Sequence, residues 1–201
     1  MERIEPSVLL PTSNRRFRAG EERFEHALLL FHPYSLKSSK DAAACLDFLR
    51  TDESAFERGN PARHFTGSAI IVDRHRTSVL LTLHAKMGKW LQLGGHCDGL
   101  RDPFFVAWKE AYEESGLGYV RPLSDRIVDL GVHGIAEHNG VPAHEHYDIR
   151  YLFEADAYEP LGISDESKDL RWVLLGDLER YSDDPEVIGL RDRIRAAEGM
   201  A

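Results

Sequence analysis

The chain has 201 residues, 42% of them hydrophobic and 29% charged, and a formal net charge of −9. That length allows one domain, or one domain with an extension, and the apolar share is enough for a real core. The acidic balance argues against binding along a DNA backbone, which needs a basic footprint. No run is apolar for long enough to span a membrane, so neither DNA nor a membrane is an expected partner. Cys45 and Cys97 are the only cysteines. They make neither a disulfide framework nor a zinc pattern, and a reducing cytoplasm is the expected compartment. The first ten residues, MERIEPSVLL, lack the basic start and apolar run of a secretory signal.

Residues 1–60 read as a helical extension, and residues 61–201 as the main domain. Pro11–Gly20 is polar and basic and reads as loop. Glu21–Phe31 places Phe24, Ala27, Leu28 and Phe31 at helical spacing. Ser38 and Asp41 form a capping-box pattern ahead of a second helix over Ala42–Leu49, which would bury Ala42, Cys45, Leu46 and Leu49. Such periodicity marks a scaffold packed on the main domain or on a partner subunit more readily than a substrate-selecting lid. A homodimer is compatible with that packing.

From His64 the pattern changes. Thr66–Asp73 is apolar and β-branched and reads as a strand. Arg74–Thr77 is a turn and Ser78–His84 a second strand. Lys86–Lys89 is a short basic loop, and Trp90–Leu93 runs into Gly94 and Gly95. A helix then follows, with Asp102 suited to its N-cap, Pro103 to its first position and Gly116 to a left-handed end. Further strands are expected at Ile127–His133, His146–Ala155 and Leu170–Leu174. Asp184 and Pro185 open a last amphipathic helix with Val187, Ile188, Leu190 and Ile194.

The stretch Gly94–Leu117, GGHCDGLRDPFFVAWKEAYEESGL, carries the chemistry. Helical spacing puts Glu110, Glu113 and Glu114 on one face, with Phe104, Ala107, Trp108 and Ala111 opposite. Like charges so close repel by a few tenths of a kcal/mol per pair, roughly. A solvated acidic face tolerates that cost. A hard cation reverses it, because Mg2+ prefers carboxylate oxygens. The glycine pair lets backbone approach such a site.

This stretch resembles the Nudix box, G-x5-E-x7-R-E-U-x-E-E-x-G-U with U a bulky apolar residue. The match starts at Gly95 and holds at Glu110, Glu113, Glu114, Gly116 and Leu117. Lys109 stands at the Arg position, Ala111 at a bulkier apolar one, and Arg101 at the first Glu. In the family that Glu and Arg hold the loop against the helix by a salt bridge. Arg101 and Lys109 cannot pair, which leaves Asp102 or Asp98 as the carboxylate for Lys109. The resemblance covers about residues 64–195. It implies an α/β fold, a Nudix-like α/β/α sandwich around a mixed β-sheet, to which residues 1–60 add the extension.

The resemblance also implies a pyrophosphohydrolase that uses Mg2+ (or Mn2+) to cleave the diphosphate of a nucleoside diphosphate linked to another group. Its partner is then a small nucleotide-type substrate. Glu113 and Glu114 are the expected metal ligands, with Glu110 as ligand or base and the Gly95 carbonyl completing the shell. Nudix hydrolases often add a glutamate from a late loop, and Glu166, in SDESKD before LRWVLL, suits that place. Glu137 and Glu145 are the competing acids. Lys86, Lys89 and His96 are candidate phosphate contacts, against a reading as solvated loop lysines and a backbone-bonded imidazole. Trp90 and Trp172 read as core or rim, and nothing nearby would activate Cys97.

His144, His146 and Asp148 alternate along one strand and share a face. Without a third histidine or a cysteine in register, that pattern does not specify a transition-metal site. Two other functions share the fold: a non-catalytic nucleotide- or nucleotide-sugar-binding module, and an isoprenoid diphosphate isomerase. The first goes with degraded glutamates and an attached DNA-binding domain, the second with a catalytic cysteine. All three glutamates persist here, residues 1–60 hold no basic recognition helix, and neither cysteine sits in a matching context.

Overall fold

The computed structural model describes residues 14–137 and 140–198. Two helices come first, α1 (Asn14–Leu30) and α2 (Leu36–Thr51). Four strands follow: β1 (Arg63–Asp73), β2 (Ser78–His84), β3 (Trp90–Leu91) and β4 (Leu93–His96). Helix α3 (Pro103–Ser115) leads to β5 (Val120–Pro122), β6 (Asp129–Ile135), β7 (His144–Ala155) and β8 (Ser167–Leu174). A 3-10 turn (Leu178–Arg180) and helices α4 (Pro185–Ile188) and α5 (Leu190–Glu198) complete the order. No described helix is long and apolar enough to cross a membrane.

Strand β1 is the axis of a mixed, eight-stranded sheet. It runs parallel to β7 along its whole length, from Arg63 opposite Glu145 to Asp73 opposite Ala155. Its first half pairs antiparallel with β4 and its last residues with β2. Beyond these, β2 carries β3 and β8, while β7 carries β6 and β5.

Alternation along β1 and β7 splits their side chains between two layers. Phe65, Ala69 and Ile71, with Tyr147, Ile149, Tyr151 and Phe153, pack in one core with α1, α2 and α3. Ile70, Val72 and Leu152 face the other way, under Val187, Leu190 and Ile194 of α4 and α5. The remaining end of that second face is polar. It presents His64, Thr66 and Ser68 on β1, and His144, His146, Asp148 and Arg150 on β7.

The N-terminal helices share the first core rather than forming their own. Phe24 meets the Phe65 ring edge-on at 5.1 Å, and Phe48 lies 4.7 Å from Tyr147. Several boundaries differ from the sequence reading. Residues 14–20 are helix and not loop, since α1 starts at Asn14; residues 1–13, where the N-terminus was read as lacking a secretory signal, lie outside the described residues. Helix α2 begins earlier, with Ser35 as N-cap and Ser38 as the reciprocal partner of its capping box. Asp41, one turn in, pairs with Lys37 instead. The final helix breaks after Ile188 into two short pieces.

Candidate active site

Helix α3 is built as its sequence suggests. The Asp102 carboxylate accepts the Phe105 N–H, Pro103 opens the first turn, and Gly116 ends it at φ 67°. The helix lies tight on β1: a Cβ on Gly67 would run into the Pro103 carbonyl, so only glycine fits beneath it.

This packing brings the acidic face against β4. A Cβ on Gly95 would fall 2.6 Å from the Glu110 carboxyl carbon. The Gly94 N–H donates to Glu114 Oε1 at 2.7 Å. Lys109 Nζ sits 2.8 Å from both Glu110 Oε1 and Glu113 Oε2. Burial pushes the Glu114 carboxyl up to about 8; the Gly94 N–H opposes that rise, and the charges of Glu110 and Glu166 add to it. Glu110 is raised for similar reasons, by burial first, with Lys109 working against it and Glu113 and Glu166 with it. Burial alone would lower Lys109, but its pairs with Glu110 and Glu113 outweigh that and hold it charged.

These residues fit a hard divalent cation. Glu110 and Glu113 flank the Lys109 ammonium, and Glu110 and Glu114 lie where bare backbone comes close. Oxygen donors in that number suit Mg2+ or Mn2+. Glu110, Glu113 and Glu114 are the side chains that could hold it, beside the Gly95 carbonyl.

The loop is anchored differently from the expectation. Neither Asp102 nor Asp98 pairs with Lys109. Asp102 pairs with Arg23 of α1, and Asp98 is exposed at a left-handed φ of 47°. Arg101 reaches Glu21, at 2.7 Å from Oε2 and 3.0 Å from Oε1, and donates to the Glu53 carbonyl. Its guanidinium lies over the Phe56 ring, as that of Arg23 lies over Phe104. Helix α1 therefore clamps the segment that enters α3 with two ion pairs and the Arg23–Phe104 contact, while Phe56, beyond α2, adds the contact to Arg101. The sequence signal was the reversed charge of Arg101 at a position that resembles a family glutamate; the opposite charges of α1 were its complement.

Glu166 is exposed on the loop before β8, and its charge reaches both Glu110 and Glu114. Its carbonyl accepts the Ala85 N–H, which ties this loop to the one bearing Lys86 and Lys89. Both lysines are exposed. Glu137 and Glu145 are exposed too, Glu137 after β6 and Glu145 on β7 opposite Arg63. Neither is among the main causes of the shifts of Glu110 or Glu114. Trp90 stacks edge-on with Tyr181, and Trp172 packs partly buried on the core. Cys97 is buried and its thiol pushed well up, by burial first and then by nearby carboxylates, so it stays protonated.

His96 leaves β4 on the side away from Glu110. It joins His64, His144 and His146, its ring centroid 5.1 Å from that of His64 and 5.0 Å from that of His146. Burial, with the neighbouring imidazoles, brings His146 down to about 3 and His96 to about 4; Arg58 and Lys86 also lower His96. The third histidine that the β7 pattern lacked is His64, supplied by β1 directly opposite His146.

No protein-family model matches the chain, and no curated protein matches it either. Solved structures do. An Ap4A hydrolase from C. elegans, in a binary complex, superposes with a TM-score of 0.54 at 18% identity, over 68% of this chain and 98% of that one. RenU, a Nudix hydrolase from M. smegmatis, gives 0.51 at 20% identity, over 69% and 88%. A MutT protein from Methanosarcina mazei gives 0.50 at 17% identity, over 69% and 95%. The chain thus has the Nudix fold: a mixed sheet between helices, with a capped acidic helix set against its glycine-rich strand.

Proposed function

We propose that the protein is a Nudix-type hydrolase that uses a divalent cation to cleave a phosphoric anhydride bond in a nucleoside diphosphate linked to another group. The observation that supports this most is the acidic cluster, in which Glu110 lies against Gly95, Glu114 accepts the Gly94 N–H, and Lys109 joins Glu110 to Glu113. When bound there, Mg2+ or Mn2+ supplies charge neutralisation of the diphosphate and a more acidic water. Glu110, Glu113 and Glu114 would hold the cation. The Gly95 carbonyl would be a further ligand. Lys86 and Lys89 bind phosphate oxygens and orient the anhydride. Positioning and charge complementarity then carry most of the rate, because phosphoryl transfer asks little covalent help of the protein. The test is a panel of nucleoside diphosphate-linked compounds assayed with Mg2+ and Mn2+. Release of a mononucleotide supports the reading, and binding of a compound without release overturns it in favour of a non-catalytic nucleotide-binding module.

Glu166 is the general base in this reading. Its charge is felt by Glu110 and Glu114, which supports it as the acceptor for the proton of an attacking water. Glu166→Gln is expected to lower kcat by roughly a hundred- to ten-thousandfold, the general acid–base range. KM should change far less, because the group acts in the transition state. Glu137→Gln and Glu145→Gln are expected to stay active. A large loss in either of those, with Glu166→Gln active, would move the base to the segment around β6 and β7.

A further inference from the structure

His64, His144 and His146 each offer a ring nitrogen, and these three atoms lie within 4.8 Å of one another. The Nε2 atoms of His144 and His146 face each other at 3.1 Å. His144 Nδ1 lies 2.8 Å from the Pro142 carbonyl, which can only accept. The proton of His144 therefore sits on Nδ1, and its Nε2 lone pair points at His146. A backbone carbonyl on the far nitrogen is the usual way a protein fixes the tautomer of a metal-binding histidine. His64 is only 3% exposed, and neither of its ring nitrogens has a hydrogen-bond partner. The Asn60 backbone is near enough to favour its charged form slightly, but it does not meet hydrogen-bond geometry with either nitrogen. An unpartnered polar group so deeply buried is rare and calls for an explanation.

We propose that His64, His144 and His146 form a second metal site, for a borderline divalent transition metal such as Zn2+, separate from the glutamate cluster. Zinc bound by imidazole at about 2.0–2.1 Å in a tetrahedral shell sets its ligand atoms about 3.3 Å apart. The His144–His146 pair is already near that spacing. The widest gap in the triad closes with roughly 1.5 Å of ring movement, judged against that ideal geometry. Three imidazoles leave a fourth position open, and His96 lines it. Nitrogen donors select zinc, copper, nickel or iron over magnesium, so the two sites prefer different ions. The nearby Asp148 carboxylate is already held by Thr66, Ser68 and Arg150, and stays outside the ligand set. The two centres lie on opposite sides of β4, with Gly95 turned to Glu110 and His96 to the imidazoles. The proposal does not depend on the hydrolase reading.

The test is equilibrium dialysis of the full chain against Zn2+ in a large excess of Mg2+, followed by metal analysis. The wild type is expected to retain one Zn2+ per chain. His144→Asn, at a half-buried position that should not disturb the fold, is expected to weaken retention by more than the roughly 10–100-fold that loss of an outer hydrogen-bond partner costs. Glu113→Gln with Glu114→Gln is expected to retain the ion. In a parallel measurement that needs no histidine variant, this doubly substituted chain loaded with Co2+ should show the visible bands of a low-coordinate nitrogen site. No retention by the wild type, or undiminished retention in His144→Asn, overturns the proposal. Retention that depends on the glutamates, with or without His144, overturns it as well. So does an octahedral, oxygen-type Co2+ spectrum.

Discussion

Glu114→Gln is expected to lower kcat by about a hundredfold or more, the scale of losing one preorganised electrostatic group. Glu114 is the most buried acid of the cluster, and its burial already disfavours the charge. Glutamine keeps the size, and its carbonyl can still accept the Gly94 N–H that Glu114 accepts at 2.7 Å. What it removes is the charge that a cation needs. Because burial and the neighbouring carboxylates both oppose that charge, the melting temperature should hold or rise. Steady-state kinetics at saturating Mg2+, alongside a thermal melt, decide the matter. Near-normal turnover would show that Glu114 is no ligand, and a collapsed melting temperature would show that it holds the fold instead.

The second large effect concerns stability. Arg150 is 2% exposed and bonds Asp129, Asp148 and Glu186, with His133 2.8 Å from its remaining nitrogen. Arg193 adds a second cation on Asp129 and also reaches Glu186. Arg150→Met keeps much of the bulk but strips Asp148 of its only described ion pair. Breaking a buried pair from one side typically costs about 3–5 kcal/mol, because the remaining charge is left in a low dielectric. That is a large share of the roughly 5–15 kcal/mol that holds a domain together. Urea unfolding should show it as a lower midpoint at unchanged slope. A loss of under about 1 kcal/mol would put the network in the class of exposed ion pairs. Adding Asp148→Asn to the variant should return part of the loss, since the stranded charge is then gone.

How far the sequence could be read follows from how local each feature is. The caps of α3 were legible because Asp102, Pro103 and Gly116 act within a turn of where they stand. Spacing alone placed Glu110, Glu113 and Glu114 on one face. The strand of Ser78–His84 was bounded by its own turn residues. The clamp on the loop was not legible, since Arg23 and Asp102 are 79 residues apart and Glu21 and Arg101 are 80 apart. No periodicity links such positions. The imidazole triad was hidden for the same reason: His64 joins it only through the parallel pairing of β1 with β7. Strand β5 is three residues long, too short for an alternation to show. The last helix breaks at Gly189, and the apolar spacing across it gave no sign of that.

In the proposed reaction the glutamate cluster works only with a divalent cation. The most direct test of this is the initial rate of mononucleotide release against free Mg2+, with EDTA added and then titrated out. The rate should rise from background to saturation as Mg2+ is supplied, and return fully after EDTA is overcome. Release that continues at full rate in EDTA, with Glu114→Gln as active as the wild type, would contradict the account.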